Sequence, residues 1–118
     1  MTSKFHRYDI FLDDMLNSMK LIEEYVGVND FKNFKMNRMV VDAVIRNFEI
    51  IGEAAKNIPS EIQEKYPEVP WKQMYNLRNR ISHEYFWIDY KMIWEIVKKN
   101  LPENIKDLEN IIEKEKQI

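Results

Sequence analysis

The chain has 118 residues, 45% hydrophobic and 32% charged, with a net charge of −2, a composition that fits one globular domain able to bury about two-thirds of its unfolded surface. Two glycines and four prolines leave little material for tight turns, which disfavours a sandwich or barrel and favours long helices. The lack of cysteine excludes disulfides and thiolate metal sites, and the slightly acidic balance argues against a scaffold that coats nucleic acid with its whole surface.

Residues 1–10 contain no apolar core of the kind a signal peptide needs. No apolar run approaches the roughly 20 residues of a membrane helix. The expectation is a cytoplasmic protein with no membrane contact.

The first helix is expected over about residues 4–26. Tyr8, Leu12, Met15, Met19, Ile22 and Val26 recur at alternating spacings of four and three, which is one buried stripe. Gly27 can stop it, and residues 27–34 read as a connection. A second helix follows over about 36–58. Met36, Met39, Val40, Ala43, Val44, Phe48, Ile51, Ala54 and Ala55 form one broad apolar face. Val41 widens that face, and Ile45 and Gly52 make the back weakly polar, so the helix should be covered on more than one side. Asn47 falls inside the broad face. A buried amide must find partners, so it is either a hydrogen-bond hub or a site residue.

Pro59 ends this helix. Ser60-Glu61-Ile62-Gln63 has the pattern of a capping box opening a short turn of helix. Pro67 and Pro70 bracket an extended link, and Pro70 can stand in the first turn of a third helix over about 70–83. Asp89 can cap a last helix. Its stripe runs from Tyr90 through Ile93, Trp94, Val97, Leu101, Ile105 and Leu108 to Ile112 and keeps phase across Pro102. That proline therefore reads as a kink and not a break. Residues from about 113 to 118 are expected to fray. The whole chain, 1–118, reads as one all-α domain: an antiparallel four-helix, up-and-down bundle with a short extra turn and a kinked last helix.

Function concentrates in residues 78–85, Arg-Asn-Arg-Ile-Ser-His-Glu-Tyr. On a helical projection Trp71, Met74, Leu77 and Ile81 share a face. Arg78 falls inside that arc and Arg80 points away from it. An arginine in an apolar stripe loses hydration unless it is paired or at a wet interface. Asn79 and His83, four apart, share a flank. Arg78 and His83 are about 140° and about 7.5 Å apart along the helix, within reach if the long side chain curls into one cleft. An imidazole near neutrality can move a proton at a ribose 2′-hydroxyl or a leaving oxygen, and a guanidinium can hold nonbridging phosphate oxygens. One histidine does not readily serve as base and acid in one step, so a two-fold dimer supplying a second His83 and Arg78 is expected.

Metal and covalent chemistry are poorly supported. There is no His-Glu-x-x-His and no glycine-rich phosphate loop. Glu49 and Glu53, four apart, read as a helix-flank pair with Arg46. Ser82 lacks a strained elbow. No cofactor and no metal is expected. The competing reading is that the pattern is a chance arrangement of solvated charges, with Tyr85, Phe86 and Trp87 serving as core aromatics and His6 lying on the surface.

Arg78-Asn79-x-x-x-His83-x-Tyr85 resembles the motif of the HepT-like toxins, which belong to the HEPN superfamily. The stretch Asp42-Ala43-Val44-Ile45-Arg46-Asn47-Phe48-Glu49-Ile50-Ile51-Gly52-Glu53-Ala54-Ala55 is similar to that family's second-helix segment, and Pro70-Trp71 and Trp94-Glu95 match as well. The resemblance spans roughly residues 5–112. It implies a homodimeric bundle with a composite cleft. The implied activity is a metal-independent RNase, the toxin of a type VII toxin–antitoxin pair. On that resemblance Arg78 and His83 are catalytic and Asn79 supports them. The implied partner is an MntA-like minimal nucleotidyltransferase antitoxin that silences the toxin by attaching AMP to the motif tyrosine, Tyr85. The alternatives are a non-catalytic helical dimerisation module that binds such a nucleotidyltransferase, and a nucleotide-binding regulator.

Overall fold

The computed structural model describes residues 8–83 and 89–116, with the side chains of residues 81–83 outside the described set. Among the described residues there are helices and no strands. Helix α1 (Tyr8–Val26) buries the expected stripe, with Leu12, Met15, Met19, Ile22 and Val26 almost wholly covered. Gly27 ends it at φ +53°, donating its N–H to Glu23 O at 2.8 Å. Only glycine takes that left-handed conformation at no steric cost.

The connection after Gly27 is not plain loop. Residues Phe31–Met36 form a short helix, α2, capped by the Asp30 carboxylate, which accepts from Asn33 N–H at 2.9 Å. Too few residues carry its apolar pattern for periodicity to reveal it, and tertiary packing holds it. Phe34 is fully buried, and Phe31 and Phe34 meet the Trp94 ring at centroid distances of 6.0 and 5.3 Å. Burying one such side chain contributes about 1.5–3 kcal/mol, enough to hold a helix too short to persist alone.

Helix α3 (Arg38–Lys56) starts at Asn37, whose side chain accepts from Val40 N–H at 3.2 Å. It packs against both α1 and the helix of the motif, the central position its two-sided apolar pattern implies. Its first turn departs from expectation. Met36 and Met39 are exposed, at 75% and 83%, and Val41 is buried in their place. The break at Asn37 rotates Met36 onto a separate helix, so the apolar face begins later.

Helix α4 (Ser60–Lys65) is the expected short turn, without the capping box. Ser60 is the first helical residue, and Pro59 precedes it with no side-chain cap. Gln63 turns the other way. Its Nε2 donates to Ile58 O at 3.0 Å and to Ala55 O at 3.3 Å, the latter also accepting from Ile58 N–H at 3.2 Å, which ties α4 to the end of α3. Helix α5 (Trp71–His83) follows Pro70. Trp71 is buried and its indole N–H donates to Tyr66 O at 2.9 Å.

The last long element is continuous but not uniformly α-helical. Asp89 caps α6 (Tyr90–Glu95), accepting from Met92 N–H at 3.0 Å. A π turn follows over Ile96–Asn100, and α7 (Leu101–Lys116) completes it. The π turn lies immediately before Pro102. Proline lacks an N–H and crowds the carbonyl four residues back, and a locally widened turn lets the stripe pass in phase. Val97, Leu101, Ile105 and Leu108 are all buried.

Of the tail expected to fray from about residue 113 to 118, residues 113–116 belong to α7, which runs through Lys116, and residues 117–118 lie outside the described residues. Glu115 is buried and accepts hydrogen bonds from the hydroxyls of Tyr8 and Tyr66 and from Lys65 Nζ at 3.0 Å. Burial pushes its carboxyl up, but those three donors outweigh burial and leave it below the usual carboxylate range. The same contacts tie the end of α7 to the start of α1. With the Lys20–Glu109 ion pair at 3.2 Å, they set these two helices antiparallel. No helix among the described residues is long and apolar enough to cross a membrane.

Candidate active site

Arg78 is half-buried where α5 crosses α3. The crossing is close because residue 52 is glycine. A Cβ built at Gly52 would stand 2.4 Å from Arg78 Cβ and 2.8 Å from Met74 O. Glycine in a helix interior costs roughly 1 kcal/mol against alanine, and here it admits the neighbouring backbone. The chain has one other glycine, so a mid-helix Gly52 was the available sequence signal for this contact.

The half-burial of Arg78 is met by two polar neighbours. Its Nη2 lies 3.2 Å from Glu53 Oε2, and its Nη1 donates to Asn79 Oδ1 at 3.2 Å. Glu53 therefore belongs with Arg78 and not with the Arg46 flank pair. Among the described residues Arg46 pairs with Glu49, at 4.0 Å. Arg78 and Glu53 are both more than a third exposed, so this pair adds little stability. It orients the guanidinium at the edge of a groove of about 250 Å³ between α1, α3 and α5, lined by Asp14, Arg46, Glu49, Glu53, Asn57 and Arg78 among others. Three carboxylates face two guanidiniums in that lining.

Among the sequence-predicted site residues, the structure brings Arg78 and Asn79 together. Asn79 is exposed and touches the guanidinium directly. The backbone of His83 ends α5, while its side chain, like all of Tyr85, lies outside the described residues. Asn47 is 7% exposed and donates through Nδ2 to Ala43 O at 2.9 Å, one turn back in its own helix, and it lines neither cavity described here. Of its two readings the structure supports the structural one.

A second, larger cleft of about 540 Å³ opens on the other flank of α5, towards α6 and the π turn. Its floor includes Met19, Phe48, Ile51 and Met74, all buried in the core. Its polar lining is Gln73, Asn76, Arg80, Asn100 and Asn104. Sequence reading left these residues out because they come from three elements joined only in space, and it assigned Arg80 to open surface. Arg80 is exposed, but it borders this cleft. Among the described residues no group of three or more His, Cys, Asp or Glu side chains is arranged to hold a metal ion.

The all-helical fold and the Arg-Asn-x-x-x-His stretch on α5 fit the small helical ribonuclease family that the sequence resembles. The chain belongs to that family: the model described as Ribonuclease HepT-like matches residues 15–115. Named relatives agree. The chain is 45% identical over 102 residues to a "Putative RNase" of Methanocaldococcus jannaschii, covering 86% of this chain and 84% of that protein. It is 39% identical over 106 residues to a "Putative RNase" of Caldanaerobacter subterraneus, covering 90% and 95% of the two chains. The "Probable ribonuclease HepT" of Thermococcus cleftensis is 39% identical over 92 residues, covering 78% and 84%. No solved structure matches the chain.

Proposed function

We propose that this member of the ribonuclease family is the endoribonuclease toxin of a toxin–antitoxin pair, cleaving RNA without a metal ion at a site shared by two copies of the chain. The observation that carries the reading is Arg78. It is the motif arginine, set at a groove edge by Gly52, Glu53 and Asn79, with more than a third of its side chain open to an incoming phosphate.

His83 of one copy takes the proton from a ribose 2′-hydroxyl. The 2′-oxygen attacks the adjacent phosphorus, and the bond to the following 5′-oxygen breaks. The second copy's histidine gives that oxygen a proton, leaving a cyclic phosphate and a 5′-hydroxyl. Arg78 holds the nonbridging oxygens as their charge grows, and Asn79 supports its orientation. Silencing follows from the same electrostatics. An MntA-like nucleotidyltransferase that transfers AMP to the Tyr85 hydroxyl would place an anion two residues beyond His83, where it would compete with RNA for the arginine.

The second reading is a helical interaction module, favoured by the Glu53 carboxylate that already pairs with Arg78 in the single chain. One experiment separates the two. Total cellular RNA is incubated with the purified protein and excess chelator, beside a folded His83→Ala variant, with Tyr85 checked for adducts by mass spectrometry. Cleavage by the wild type alone supports the ribonuclease. Absence of cleavage by unmodified wild type supports the interaction module.

A further inference from the structure

We propose that the cleft on the far flank of α5 is a ribonucleotide subsite, holding one base and its phosphate from the RNA strand that crosses Arg78. The proposal rests on the ribonuclease reading and adds to it the place where substrate is gripped.

Charge distinguishes the two cavities. The groove at Arg78 sets three carboxylates, Asp14, Glu49 and Glu53, against Arg46 and Arg78, a net acidic lining that disfavours a polyanion beyond the one phosphate Arg78 can take. The cleft of about 540 Å³ has no carboxylate among its described lining residues, in a chain with 20 acidic residues and a net charge of −2. Among the described lining residues the one charged side chain is Arg80. Its volume lies within the range of about 300–1,000 Å³ typical of small-molecule sites.

The chemistry of the lining suits a flat ligand with a polar edge. Phe48, Ile51, Met74 and Leu77 supply an apolar floor, against which a base can be shielded from water. Gln73, Asn76, Asn100 and Asn104 supply carboxamides, each with two donors and one acceptor group, the mixture a base edge presents. An apolar helix from a protein partner would cover those amides without pairing them, which is costly. Position fits as well. Arg78 and Arg80 are two residues apart on α5, about 200° around its axis and about 3 Å along it, so a strand draped over the helix can meet both.

The test is side-chain amide NMR on the 15N-labelled protein, titrated with each of the four ribonucleoside 5′-monophosphates and with ribose 5-phosphate. Saturable shifts of the Gln73, Asn76, Asn100 and Asn104 amide signals with nucleotides, absent with ribose 5-phosphate, are expected. Asn76→Leu and Gln73→Leu, both at exposed positions, should weaken nucleotide binding about tenfold each, as loss of a hydrogen bond predicts. Equal shifts with ribose 5-phosphate would reduce the site to a phosphate contact and overturn the proposal. So would amide signals that respond only to protein concentration, which would mean a second copy fills the cleft. Cleavage of RNA without nucleotide-induced shifts would overturn the subsite and leave the ribonuclease standing. Nucleotide-induced shifts without any cleavage would leave a nucleotide-binding cleft and overturn both the ribonuclease and the substrate subsite that rests on it.

Discussion

Gly52→Ala is the sharpest test of how the fold places Arg78. Helix propensity alone says alanine should stabilise α3 by roughly 1 kcal/mol. The crossing says otherwise. The new methyl would meet Arg78 Cβ at 2.4 Å, Met74 O at 2.8 Å and Arg78 Cγ at 3.1 Å, where carbon pairs prefer about 3.5–4.0 Å. Two of the three atoms belong to a backbone carbonyl and a Cβ, which cannot rotate aside, so α5 must move away by about 1 Å. Overpacking of this kind costs about 1–3 kcal/mol, and a gap of that size forfeits a quarter to a half of each neighbouring dispersion contact. Set against a propensity gain of roughly 1 kcal/mol, the two contacts under 3 Å put the cost in the upper part of that range, giving a net loss of up to about 2 kcal/mol. For a chain of this length that lowers Tm by roughly 5 °C. Thermal and urea unfolding followed by circular dichroism measure it, and RNA cleavage should fall further than stability does because Arg78 moves with α5. A Gly52→Ala protein as stable as the wild type, or more stable, would refute the close approach and with it the account of Arg78.

Two further outcomes follow from particular contacts. Glu115→Gln should destabilise the protein by on the order of 2–3 kcal/mol, since hydrogen bonds to a charged group contribute about 1.5–3 kcal/mol and the side chain is 3% exposed. The wild-type carboxyl is held below its unfolded value, so its contribution is present above that unfolded value, near pH 4.3, and fades as pH falls through the folded one. Urea midpoints between pH 7 and pH 3 should therefore converge for wild type and variant, and a constant gap would refute the assignment. Glu53→Gln should change stability by less than about 1 kcal/mol, as the pair is exposed. It should also tighten binding of a non-cleavable RNA, because a carboxylate no longer competes for Arg78. Weaker binding in a filter or fluorescence assay would show that Glu53 orients the arginine more than it competes.

The amino-acid sequence by itself determined the helical class, the buried stripes, the Gly27 stop and the Asp89 cap. Each of these depends on neighbours within one or two turns, where side-chain period and capping chemistry act locally. It also carried the Arg-Asn-x-x-x-His motif and the family, because a motif on one helix needs no knowledge of the rest of the chain. Tertiary structure decided the remainder. Helix α2 exists because Phe34 finds Trp94, 60 residues on. The tail holds because Glu115 finds Tyr8 and Tyr66. Glu53 serves Arg78, and not Arg46, because Gly52 lets α5 come close. In each case the partners are far apart in sequence, and no periodicity encodes a contact between helices. Only the packing of one helix against another determines which polar groups share a small volume, and that packing set the surroundings of Arg78.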